Sequence, residues 1–202
     1  MDGTFSEYVV SWVHHVTPVP DSVGSSAAAS ILCAGVTVYR ALKHNETNPG
    51  DWVVLPGAGG GLGHMALQYA KYMGRRVIAI GTSSRVWTNH GVLREVDSGE
   101  EKKQLCRNLG ADHWIDFKES KDIVRDIKAA TEGLGAHSTL ITAASTAPYI
   151  QAIDYLRPGG TLMAVSLPGE ATLNASIFFT VSKVPFLFKH RRNSLIPSRV
   201  LR

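Results

Sequence analysis

Five glycines, Gly57, Gly59, Gly60, Gly61 and Gly63, stand between an apolar run, Trp52–Leu55, and a helical pattern, Gly61–Met73. A strand that enters a helix through such a turn leaves the first backbone N–H groups of the helix without partners. The helix dipole adds to them, so the place favours a pyrophosphate. Glycine is required where the backbone turns tightly, where a phosphate approaches and where helix meets strand. The strict G-x-G-x-x-G spacing is not met from any of the five; the turn reads G-x-x-G-G-x-G over Gly57, Gly60, Gly61 and Gly63. Its position between a strand and a helix gives it meaning that a flexible glycine loop would lack.

The chain around the turn alternates in the same way. Leu62, Met65, Ala66, Tyr69, Ala70 and Met73 make one apolar stripe at helical spacing. Val77–Ile80 is a second strand and Glu100–Leu109 a helix stopped by Gly110. Trp114–Ile115 is a third strand, Lys121–Thr131 an amphipathic helix, Thr139–Ala143 a fourth strand, Pro148–Leu156 a helix and Thr161–Val165 a fifth strand. Strand–helix–strand repeats imply parallel strands with right-handed crossovers, and apolar strands such as VIAI imply a sheet covered on both faces. The expected fold is a doubly wound α/β (Rossmann) domain. Residues 1–24 read as strand and extended loop, the end of another domain, and Ala27–Lys43 as an apolar helix leading into the first strand.

Composition closes off other classes. Cys33 and Cys106 are the only cysteines, too few for a disulfide framework, so a reducing compartment is expected. No run reaches the length of a membrane span and the first residues do not read as a secretory signal, so the expected location is cytoplasmic with no membrane partner. The net charge of +4 comes from the end of the chain: residues 183–202 hold Lys183, Lys189, Arg191, Arg192, Arg199 and Arg202 and no acid. Without them the body is slightly acidic, so no nucleic-acid partner is expected.

Three stretches, ILCAGVTVYRAL (31–42), GDWVVLPGAGGGLGHMALQYAKYMG (50–74) and the LRPGG to VSLPG region (156–169), together with DGTFSEY (2–8), resemble the fungal, tetrameric, zinc- and NAD-dependent alcohol dehydrogenases of the medium-chain type. The resemblance covers roughly residues 2–80 and 97–182. It implies NAD-dependent oxidation of a small primary alcohol to an aldehyde, in a homotetramer. It also implies a longer N-terminal, GroES-like catalytic domain, of which DGTFSEY would be the last part. The cofactor residues it implies are Gly57, Gly60, Gly61, Leu62 and Gly63 at the turn, Thr37 against the nicotinamide, and Ser145, Val165 and Leu167 after the fourth and fifth strands. Cys33 corresponds to one of three ligands of the catalytic zinc, and its other two ligands lie upstream of residue 1, so the expected metal site is incomplete.

Two segments depart from the pattern. GTSSRVWTNHGVLREV (81–96) has no counterpart in the family and reads as an insertion. Removing it joins VIAI to DSGEEKKQLC; Asp97 then becomes the acid that binds the ribose of NAD, and Lys102 the lysine that contacts the cofactor. After Ser182, KVPFLFKHRRNSLIPSRVLR replaces the family's sixth strand, so that strand is expected to be lost and the sheet edge left unpaired. Two alternatives stay open: a non-catalytic remnant that binds NAD(H), and a zinc-independent relative resembling quinone reductases.

Overall fold

The computed structural model describes residues 7–81 and 99–166 and the backbone of a short strand at 181–183. Asp97, Leu167 and most of the inserted segment and basic tail lie outside the described residues.

The fold is a doubly wound α/β sheet. Strands β1 (Trp52–Pro56), β2 (Arg76–Gly81), β3 (His113–Asp116), β4 (Ala136–Ile141), β5 (Leu156–Ala164) and β6 (Val181–Lys183) lie parallel in the order β3-β2-β1-β4-β5-β6. The order reverses between β1 and β4, and a crevice opens there at the carboxyl ends of the strands.

Strand alternation divides the core in two. Val54, Ile78, Ile80, Ile141 and Leu162 face one side, where α5 (Ile123–Ala130) and α6 (Ala147–Tyr155) cover them with Ile127, Tyr149 and Ala152. Val53, Leu55, Val77, Ala79, Leu140 and Met163 face the other, under α2 (Val36–His44), α3 (Gly61–Tyr72) and α4 (Gly99–Asn108), with Val38, Leu42, Leu67 and Cys106. Burial pushes the Cys106 thiol up to about 11, as suits an unreactive core residue.

The helix before β1 is longer than its sequence pattern suggests. It runs unbroken from Ser25 to His44 as α1 (Ser25–Ser30), a π turn (Ile31–Gly35) and α2. Its twenty residues are long and apolar enough on average to cross a membrane by length and composition only, although Ser25, Ser26, Ser30, Thr37, Arg40, Lys43 and His44 interrupt any apolar run. Its inner face nevertheless belongs to the protein core, for Val38, Ala41 and Leu42 are fully buried. Over residues 7–24 the expected strand is absent among the described residues; a 3-10 turn at Val13–His15 interrupts extended, exposed chain.

Two further elements differ from expectation. β5 starts at Leu156, before the Arg-Pro-Gly-Gly that reads as a turn. The sheet absorbs those residues as an irregularity between Ala136 and Ser138, with Gly159 at φ 81° and Arg157 Nε and Nη2 donating to the Gly135 carbonyl. The sixth strand is not lost: Val181–Lys183 pairs parallel with β5 at Gly160 and Thr161. The open edge of β5 offers unpaired backbone groups that an extended Val-Ser-Lys segment can take up.

Candidate functional site

β1 ends at Pro56 and the chain turns at once. Gly57 adopts φ 84°, and a Cβ there would lie 2.9 Å from the Ala143 amide nitrogen, so only glycine lets β1 and β4 diverge at this spacing. The amides of Gly57 and Ala58 both donate to the Ile80 carbonyl at 2.9 and 3.1 Å, which ties the turn to the end of β2. From β4, Thr142 donates through its amide and its hydroxyl to the Pro56 carbonyl at 3.1 and 2.8 Å. The mouth of the crevice is thus pinned on both sides.

Gly60 is the N-cap of α3, with extended backbone and no capping side chain, and the first turn of α3 carries no acid. A Cβ on Gly61 would meet nothing within 4 Å, so the outer side of the first turn is open at this residue. At Gly63 a Cβ would lie 2.6 Å from Ala58 Cα and overlap the Gly57 carbonyl; this glycine lets the helix sit against the turn. A helix N-terminus with bare amides and no competing carboxylate is suited to a phosphate or pyrophosphate. His64, one turn in, places Nδ1 2.9 Å from the Gly60 carbonyl.

Beside this cradle lies a cavity of about 390 Å³. Gly57, Gly59 and Gly60 form one wall and Thr142, Ala143 and Ser145 from the end of β4 another. Ile80, Gly81, Trp114 and Phe117 line its far end, and Lys102 from α4 reaches over Gly59. The fit at Gly59 is close: a Cβ would lie 2.9 Å from that of Lys102. Tyr155 closes the floor, fully buried, its hydroxyl 2.9 Å from Thr139 Oγ1, which donates to the Val54 carbonyl. Burial raises the Tyr155 phenol well above its ordinary range, so it stays protonated.

Of the sequence candidates, Gly57, Gly60, Lys102 and Ser145 are brought together around this cavity. Gly61, Leu62 and Gly63 continue from it into α3, Leu62 packing on the core. Val165 ends β5 as a 5 % exposed core residue, and its amide and that of Ser166 both point to the Ile141 carbonyl. The Tyr149 hydroxyl donates to the Ser166 carbonyl, holding the chain that leaves β5. Thr37 and Cys33 stand apart, on the long helix: Thr37 half-buried in α2, Cys33 exposed in the π turn. Among the described residues no three His, Cys, Asp or Glu side chains come together around Cys33 or anywhere else.

Gly59, Thr142, Ala143 and Trp114 are site residues that sequence reasoning left out. The run of glycines contained the signal for Gly59. The others are at the crevice because β4 lies beside β1, and β3 beside β2, neighbours that spacing along the chain does not reveal.

The family model described as zinc-binding dehydrogenase matches residues 92–194. The alcohol dehydrogenase of Schizosaccharomyces pombe is 44% identical over 184 residues, 91% of this chain and 48% of that protein. Alcohol dehydrogenase 1 of Emericella nidulans is 44% identical over 185 residues, again 91% of this chain and 48% of the relative. The chain spans about half the length of these curated relatives. Among solved structures, an alcohol dehydrogenase from the archaeon Aeropyrum pernix is 29% identical with a TM-score of 0.64, over 81% of this chain and 44% of that one. A putative NADPH:quinone reductase from Bacillus thuringiensis shares the fold at a TM-score of 0.72 and 19% identity, over 87% of this chain and 49% of that one.

Proposed function

This chain belongs to the zinc-binding dehydrogenase family, and from that premise we propose that it is the NAD(H)-binding part of an alcohol dehydrogenase acting on small primary alcohols. The observation that carries the reading is the cradle at the start of α3, where the close seating of Gly57 and Gly63 brings the uncapped first turn of the helix, from Gly61 to Gly63, to the crevice between β1 and β4. In this reading residues 25–182 are the dinucleotide-binding domain, 1–24 the end of the GroES-like catalytic domain, 81–96 an insertion and 183–202 an appended basic tail.

The residues divide the cofactor's work between them. The amides of Gly61, Leu62 and Gly63 hold the pyrophosphate at the positive end of the helix dipole. Lys102 adds a cation over the same wall. Asp97 becomes the acid for the ribose hydroxyls where residues 81–96 are removed and it follows Ile80 directly. Ser145, Val165 and Leu167 flank the nicotinamide end, and Thr37 approaches it from the long helix. Bound NAD supplies the hydride acceptor for the alcohol. The chain's part is to bind and orient it and to keep the pocket floor dry with Tyr155.

Zinc is implied by the family, but the donor set present does not fit it. A catalytic zinc needs three protein ligands, and Cys33 is one thiol with no second donor gathered to it among the described residues. No step is therefore routed through a metal.

The test is a titration of the 202-residue chain with NADH, followed by the change in nicotinamide fluorescence. Saturable binding that is lost in Gly63→Ala supports the reading. No saturable binding by the folded chain sinks it.

A further inference from the structure

A Rossmann domain rejects NADP(H) through a carboxylate at the end of its second strand, about twenty residues beyond the glycine turn, which binds the ribose 2′-hydroxyl and repels a 2′-phosphate. Here β2 ends on Gly81, paired with Asp116 of β3. The place a side chain would occupy is taken. A Cβ on Gly81 would overlap Cη2 of Trp114 and lie 3.2 Å from Cζ2 and Cζ3, so any residue larger than glycine must push the indole aside. Trp114 packs against the core beneath α3 and α4 and lines the cavity at this same end.

Among the described residues, the carboxylate that stands beside Gly81 on the sheet is engaged by its own turn. Asp116 is only 7 % exposed, and its Oδ1 accepts the Lys118 amide at 2.9 Å, capping the turn after β3. Among the described residues that line the cavity none is acidic, and the charged one is Lys102, in the first half of α4 over the glycine turn. Among the described lining residues, a 2′-phosphate in this cavity meets the Trp114 indole at the end of β2 and Lys102 over Gly59, and no carboxylate.

Building on the NAD(H)-binding reading above, we propose that this site does not discriminate against a 2′-phosphate and takes NADP(H) about as well as NAD(H), with Gly81 and Trp114 setting that tolerance and Lys102 contacting the added phosphate. The inference concerns the dinucleotide alone and holds whether or not the chain turns over an alcohol.

Parallel titrations of the chain with NADH and NADPH, at matched ionic strength, test it. Dissociation constants within about threefold of each other are expected. A preference for NADH of tenfold or more overturns the proposal, because an acid from elsewhere in the chain must then reach the ribose. Binding of neither overturns it together with the functional reading, which the first titration alone already distinguishes. In Gly81→Asp with Trp114→Val, which makes room for the carboxylate, the ratio is expected to move at least tenfold towards NADH; an unmoved ratio overturns the assignment of tolerance to this position. Lys102→Gln is expected to weaken NADPH several-fold more than NADH, and an equal loss for both removes Lys102 from the 2′-phosphate.

Discussion

Gly61 and Gly63 lie two residues apart in one turn of α3, and the surrounding atoms make them opposites. A methyl group at 63 overlaps the Gly57 carbonyl and comes within 2.6 Å of Ala58 Cα, both backbone and unable to swing away. A methyl group at 61 meets nothing within 4 Å, and alanine costs less conformational entropy than glycine in a helix. Gly63→Ala is therefore expected to destabilise the domain by about 2 kcal/mol, the order of an overpacked core site. Gly61→Ala is expected to be neutral, or stabilising by up to about 0.5–1 kcal/mol. Urea denaturation of both variants measures this, and equal midpoints would mean that the helix does not seat on the turn as described. The sequence could not separate the two, since both belong to one glycine run. Only the closeness of α3 to its own turn tells which glycine is a packing requirement and which has room for a side chain.

At the scale of elements, the joint between β1 and β4 hangs on a histidine. Nδ1 of His137 accepts the Trp52 amide at 2.9 Å and Nε2 lies 2.9 Å from Asp51 Oδ1, with the Arg157 guanidinium against the same nitrogen. An imidazole that accepts an amide must be neutral at that nitrogen. Burial lowers the His137 pKa most; Arg157 lowers it further and Asp51 opposes. The unfolded chain titrates near the ordinary value of about 6.5. As pH falls through that value the unfolded state takes up the proton first, so stability present at neutral pH declines until the lowered folded value is passed, below which the loss is complete. His137→Asn keeps an acceptor but cannot titrate, so the fall in melting temperature between roughly pH 7 and 5 is expected to be shallower in the variant. An identical pH profile would show that His137 does not contribute to it.

Elements were legible in the sequence to the extent that their partners were local. The α3 stripe and the apolar β1 and β2 follow from periodicity alone, and the structure has them. The start of β5 was missed because Pro-Gly-Gly ordinarily marks a turn, whereas here Arg157 and the pairing with Ala136 hold those residues in the strand. β6 was missed because three residues carry no period at all. The connection between β2 and α4 makes a separate prediction. Deleting residues 81–96 together with Trp114→Val, which makes room at the end of β2, brings Asp97 next to Ile80, where Gly81 now stands, so NADH is expected to bind several-fold tighter than to Trp114→Val alone. Unchanged affinity would remove Asp97 from the ribose.

For the whole molecule, the weight lies in the apolar surface left open around the N-terminal segment. Tyr8, Val10, Trp12 and Val13 are between 72 and 89 % exposed, and Leu32 and Val36 on the long helix are exposed as well. Large apolar side chains exposed close together along the chain mark an interaction surface in soluble proteins. Cys33, the only residue here with a resemblance to a metal ligand, is exposed in the π turn between Leu32 and Val36. A thiol with no companion donors cannot hold a catalytic zinc. Ethanol with NAD and added zinc is therefore expected to give no aldehyde above a blank without protein, and turnover would show that the ligand set is completed by residues not described. The open surface itself predicts self-association. Val10→Lys with Trp12→Lys places two charges on side chains that do not line the cavity, so sedimentation should show a shift towards monomer while the NADH dissociation constant stays within about twofold, a change of some 0.4 kcal/mol. A loss of NADH binding in that variant would instead mean that the N-terminal segment takes part in holding the cofactor.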